Sequence, residues 1–151
     1  MAGYTNVDED TWKAFGKVDG PGRIQMLNFI RLREMAEYPN GQEISGAEAY
    51  EEYSRLTVPI LTGLGGRMVW RGGFELTMIG PSEEIWDICF IIEYPAKNAF
   101  LTMVQDPNYH AALVHRQAAA ADSRLICLRP PQEVSEGQSS LVQNAEGFHG
   151  A

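Results

Sequence analysis

Two stretches of this chain are apolar at odd and even positions alike. Ile24–Arg33 reads Ile-Gln-Met-Leu-Asn-Phe-Ile-Arg-Leu-Arg, and Trp86–Tyr94 reads Trp-Asp-Ile-Cys-Phe-Ile-Ile-Glu-Tyr. Runs of this kind, bounded by turn formers such as Pro21-Gly22, Pro39-Asn40-Gly41 and Pro95, predict strands covered on both faces. In the first run, alternation sets Met26, Asn28 and Ile30 on one side and Leu27, Phe29 and Arg31 on the other. Leu27 and Phe29 are expected to meet the helices. Asn28 then looks into whatever covers the opposite face, where its amide needs a partner.

Between these strands the period changes to that of a helix. Ala47, Tyr50, Ser54, Thr57 and Leu61 fall on one stripe, with Tyr53, Ile60 and Leu64 beside it. Ser45 with Glu48 three residues on starts this helix, Pro59 predicts a kink in it, and Gly63, Gly65 and Gly66 end it. Arg67–Arg71 is a short strand. Gly72-Gly73 is expected to break one long edge strand that resumes over Phe74–Ile79, one of the pair taking positive φ. A helix over Ala96–Val104 turns Ala99, Phe100 and Met103 inward. Asp106-Pro107 caps another that runs to about Ala121, and Ser123–Leu128 is the last strand.

The ends read differently. Asp8–Val18 is a short capped helix with Trp12 and Phe15 on one side, weakened by Gly16. Residues 1–22 therefore form an N-terminal extension, 23–129 the main domain and 130–151 a polar tail of disorder-like composition. At 151 residues there is enough chain for one real core. A hydrophobic fraction of 44%, a charged fraction of 21% and a net charge of −8 fit a globular protein. They argue against nucleic acid and membrane as partners, since phosphate neutralisation needs clustered Lys and Arg. No apolar run reaches the roughly 18 residues of a membrane span, and the N-terminus lacks the pattern of a signal peptide. The expected location is cytoplasmic, with Cys89 and Cys127 as small buried apolar side chains.

The order strand, helix, strand, strand, helix, strand makes an α+β, ferredoxin-like βαββαβ fold, a four-stranded antiparallel sheet with helices on one face. The other face would be bare, exposing Met26, Asn28 and their neighbours, and a second copy of the chain is its expected cover. Gly65–Gly73 (Gly-Gly-Arg-Met-Val-Trp-Arg-Gly-Gly), Ile91–Pro95 (Ile-Ile-Glu-Tyr-Pro) and Asp106-Pro107-Asn108-Tyr109 with Arg116 seven residues on resemble, in that order, the DUF1330 family. The resemblance spans about Ile24 to Leu128. It implies the dimeric α+β barrel superfamily, whose members include cofactor-independent monooxygenases, and a homodimer whose two sheets form a barrel.

Candidate chemistry is sparse. Tyr109, Leu113, Arg116 and Ala120 share a stripe of the last helix, so Arg116 must be paired or face a pocket. Two readings follow: an ion pair with Asp122, Asp87 or Glu93, or an anchor for an anionic ligand. His115 lies on the flank of that stripe. Tyr50 and Tyr53, with Trp70 and Arg71, are placed to line a gap between helix and sheet. His110 and His115, five apart, do not have metal-ligand spacing, and no acidic or cysteine cluster completes a site. No metal and no cofactor is expected. The pocket is assigned Asn28, Tyr50, Arg71, His115 and Arg116. The function expected is binding of a small apolar or anionic metabolite by a homodimer, in a pocket between sheet and helices. The alternative is a cofactor-independent monooxygenase or isomerase acting on a small aromatic or oxygenated metabolite.

Overall fold

Caps written in the sequence set the helix boundaries. Ser45 Oγ accepts from the backbone N–H of Glu48 at 3.0 Å and starts α2 (Gly46–Gly63). That helix ends in a Schellman arrangement: the N–H of Gly66 donates to Leu61 O and that of Gly65 to Thr62 O, with Gly65 at φ +81°. Asp106 accepts from the N–H of Asn108 at 2.7 Å and, with Pro107 at the first position, starts α4 (Pro107–Ala119). Asp8 does the same for α1 (Glu9–Gly16) through Thr11, and α3 (Lys97–Gln105) precedes α4.

The computed structural model describes residues 3–131, so the tail expected over 130–151 lies almost wholly outside the described residues. Its strands are β1 (Ile24–Leu32), β2 (Arg67–Gly72), β3 (Ile88–Tyr94) and β4 (Ala120–Leu128). They form one antiparallel sheet in the order β2-β3-β1-β4. This is the α+β, ferredoxin-like topology expected from the element order. No helix among the described residues is long and apolar enough to cross a membrane.

The face of β1 that meets the helices is the reverse of the one expected. Ile24, Met26 and Ile30 are buried, at 1%, 3% and 0% exposure, while Leu27 and Phe29 are half-buried on the helix-free side. The physical reason lies in the companions of each set. Gln25 and Arg31 share the Leu27/Phe29 face, so that face carries two long polar side chains against a single Asn28 on the other. Pairing agrees, since Ile24, Met26 and Ile30 stand opposite Tyr94, Ile92 and Ile88 of β3.

Two further expectations give way. β2 ends at Gly72 and Phe74–Ile79 forms no strand; neither Gly72 nor Gly73 has positive φ. The irregularity falls instead at Val69, where the register with β3 shifts between Met68 and Trp70. This bulge turns Trp70 to the helix-free face and Arg71 to the helix side. Cys89 is buried, but Cys127 is exposed, because it stands opposite Met26 on an edge strand that the helices do not fully cover.

The N-terminal helix docks through an aromatic cluster. Trp12 and Phe15 lie 6.1 and 5.5 Å from Phe100, whose ring meets Tyr94 edge-on at 5.2 Å. Lys97 Nζ donates to the carbonyls of Phe15, Gly16 and Val18, closing the C-terminal end of α1.

Candidate functional site

Between the helix side of the sheet and the helices runs a groove of about 1550 Å³. It is roomier than the roughly 300–1,000 Å³ of a typical small-molecule site. Its floor is apolar, formed by Met26, Ile88, Phe90, Ile92 and Met68. One wall is α2 with Tyr50, Tyr53 and Thr57; another is α4 with Tyr109, Leu113 and Arg116. The N-terminal segment from Tyr4 to Asp8 makes up part of a third.

Four of the five residues assigned from sequence line this groove: Asn28, Tyr50, Arg71 and Arg116. Tyr50 is buried, and burial pushes its hydroxyl up to about 12 while the nearby Arg116 and Arg71 guanidinium groups pull the other way. The two arginines reach the groove from α4 and from β2. Tyr53 and Tyr109 share a hydrogen bond between their hydroxyls at 3.0 Å, and burial, the largest influence on Tyr53, pushes its hydroxyl well above its ordinary value. Asn28 Nδ2 donates to Met26 O at 3.0 Å.

His115 does not join them. Its Nδ1 lies 2.6 Å from the Tyr38 hydroxyl, with the rings edge-on at 5.5 Å, and it is absent from the groove wall. Neighbouring helical positions differ by about 100°, so Arg116 facing inward carries His115 away. Trp70, expected near Arg71, is likewise on the other side of the sheet.

Arg116 takes neither an Asp122, an Asp87 nor a Glu93 partner. Its Nη1 donates to Thr5 O at 2.9 Å and its Nη2 to Ser123 Oγ at 3.3 Å. The three carboxylates are engaged elsewhere: Asp122 by Arg31 and Arg124, Glu93 by Arg23 and Arg67, and Asp87 by the N–H of Leu32. Arg71 has no carboxylate partner among the described residues.

Sequence reasoning missed two contributors to the walls. Tyr4–Val7 carries no motif that assigns it to a site, and its place is set by bonds to Asp122, Ser123, Arg116 and Gln117, far along the chain. Thr57 was legible only as part of the α2 stripe; its buried Oγ1 finds no hydrogen-bond partner among the described residues. Among the described residues no group of three His, Cys, Asp or Glu side chains is placed to hold a metal ion.

A family model described as "Domain of unknown function (DUF1330)" matches residues 41–129. The solved structure of the methylated RPA0582 protein is 47% identical, with a TM-score of 0.83, over 91% of this chain and all of that one. A second structure, the RPA0582 protein of unknown function from Rhodopseudomonas palustris, is also 47% identical, with a TM-score of 0.81, over 87% of this chain and 99% of that one. SnoaB, a cofactor-independent oxygenase from Streptomyces nogalater, is a remote likeness at 14% identity and a TM-score of 0.49, over 76% of this chain and 99% of that one. No curated protein matches the chain.

Proposed function

The chain belongs to the DUF1330 family, and from that premise we propose that it binds a small anionic metabolite with an apolar body. The proposed site is the groove between sheet and helices, in a homodimer joined through the helix-free face of the sheet. The observation that carries the reading is Arg71. Its guanidinium sits at the rim of an apolar-floored groove without a carboxylate partner among the described residues, close enough to the buried Tyr50 hydroxyl to influence it. A fork of donors beside a protonated hydroxyl suits a carboxylate, and the apolar floor suits what the carboxylate is attached to.

Tyr50, Arg71 and Arg116 all present donors to the groove. That set favours holding an anion over removing a proton from a substrate, which needs a base within hydrogen-bond reach. The homodimer is supported by the helix-free face, where Trp70, Ile126 and Leu128 are exposed; Leu76, Met78 and Ile79, in the segment after β2, are exposed as well. A patch of this extent is rare on a monomer, and a specific interface over it would bury at least ~1,000 Å² in total.

Calorimetric titration with phenylpropanoate, on the wild type and on Arg71→Gln, tests the site. Binding weakened about tenfold or more in the variant is expected. Equal binding by both proteins removes Arg71 from the reading. Light scattering tests the dimer, and a well-folded monomer at micromolar concentration refutes it.

A further inference from the structure

Arg71, Phe90 and Asn28 stand in one row across three strands of the sheet. Arg71 of β2 is opposite Phe90 of β3, and Phe90 is opposite Asn28 of β1. The bulge at Val69 brings Arg71 to the same side as the other two, and all three line the groove. Strands lie about 4.8 Å apart, so the two polar residues start about 10 Å from each other with a phenyl ring between them.

Asn28 is out of place in this floor. Its neighbours along and across the sheet are Met26, Ile30, Phe90 and Leu125, all apolar. A half-buried amide in such surroundings takes its partners from the protein, from water in the groove or from a ligand. Its Nδ2 is used, donating to Met26 O at 3.0 Å. Because only the nitrogen can donate to a carbonyl, the other end of the amide is Oδ1, and it has no donor among the described residues.

We propose that the groove takes an aryl carboxylate bearing a hydrogen-bond donor, a hydroxyl or an N–H, at the end of the ring remote from the acid. Arg71 and Tyr50 hold the carboxylate, the ring lies on Phe90, and the remote donor reaches Asn28 Oδ1. Asn28 is thus the residue that distinguishes a hydroxylated ligand from its unsubstituted analogue. A site that leaves a polar group unpaired against the wrong ligand discriminates far better than a purely apolar one. The inference rests on the anion-binding reading and adds the second pole to it.

Three probes separate the two: para-hydroxyphenylpropanoate, phenylpropanoate and para-hydroxyphenylpropanol, titrated calorimetrically into the wild type and into Asn28→Leu. The wild type is expected to bind the hydroxy acid about tenfold more tightly than phenylpropanoate, a difference of about 1.4 kcal/mol. Asn28→Leu, which keeps the volume and suits the apolar floor, should bind the two acids equally. Equal binding of both acids by the wild type, or a preference that survives in Asn28→Leu, overturns the assignment to Asn28 and leaves the anion site standing. Binding of the alcohol as tightly as the hydroxy acid, or no binding of any probe, overturns the anion site and this inference together.

Discussion

Arg116 donates to the backbone carbonyl of Thr5 at 2.9 Å, tying the last turn of α4 to a segment 111 residues earlier in the chain. The tie is one strand of a small net. Ser123 Oγ donates to Tyr4 O at 2.7 Å, Asp122 accepts from the N–H of Tyr4 at 2.8 Å, and Gln117 bonds Asn6. The approach is close: a Cβ on Gly3 would meet Ala121 O at 2.1 Å. A guanidinium is thereby satisfied without a carboxylate, and one wall of the groove is held by these polar bonds together with the Arg124 guanidinium, which lies over the Tyr4 ring at 4.9 Å.

Arg116→Ala is expected to loosen that wall and leave the sheet intact. The loss is about 1.5–3 kcal/mol, the range for a hydrogen bond to a charged group. Hydrogen exchange should rise at Tyr4–Val7 and stay unchanged in β1 and β3. A variant that melts with the wild type and shows no change in exchange would refute this role.

Arg71→Gln should melt within about 0.5 kcal/mol of the wild type, since Arg71 is exposed and carries no ion pair among the described residues. A large loss of stability would show Arg71 to be structural and undo its role as an anchor.

Trp70 lies against Gly72, where an added Cβ would come within 2.5 Å of the indole. Gly72→Val should displace the ring at a cost of about 1–3 kcal/mol and shift its fluorescence. Gly73→Ala, with nothing within 4 Å and no positive φ, should be silent. An unshifted emission in Gly72→Val, or equal melting of the two variants, would contradict this geometry.

Thr57 buries a hydroxyl with no partner among the described residues. Thr57→Val replaces it by a methyl of like shape and is expected to stabilise the fold by about 1 kcal/mol, raising Tm by a few degrees. A lowered Tm would mean that the hydroxyl is satisfied in solution.

Glu93 sets the response to acid. Burial pushes its carboxyl up, but hydrogen bonds from Gln25 and Arg67 and the charges of Arg23 and Arg67 outweigh it, so the carboxyl is held below its ordinary value. A group whose folded pKa is depressed contributes stability above its unfolded pKa and loses it as pH falls through the folded one. Arg23 and Arg67 are 44% and 67% exposed, so water screens the cluster and its contribution is about 1 kcal/mol. Wild type should therefore exceed Glu93→Gln in Tm at pH 7, with the gap closing as pH falls below the ordinary carboxylate range. A gap that is constant with pH would exclude the ionised carboxylate as its source.

Element order and helix boundaries were legible in the chain because they rest on local chemistry. Ser45, Asp106 and Asp8 cap helices wherever they stand, and Gly65 turns a helix end by its own φ. Period alone separated α2 from β1 and β3. From these pieces the βαββαβ order followed, and with it the antiparallel sheet. Tyr50 and Arg116 were placed toward the groove by helical spacing, because a stripe on α2 or α4 has one inward direction.

What the strands turn toward the helices was decided by tertiary structure. β1 is apolar on both faces, so a period of two cannot say which side the helices cover; Gln25 and Arg31 carried the only local signal, and Leu27 with Phe29 outweighed it. The bulge at Val69 reverses the facing of Trp70 and Arg71, and nothing near Gly72-Gly73 announces it, because a bulge is a property of two paired strands. The partners of Arg116 and His115 were equally out of reach. Thr5 and Tyr38 are 111 and 77 residues away, and contacts at such separations are set by how the elements pack, for which a local pattern carries no information.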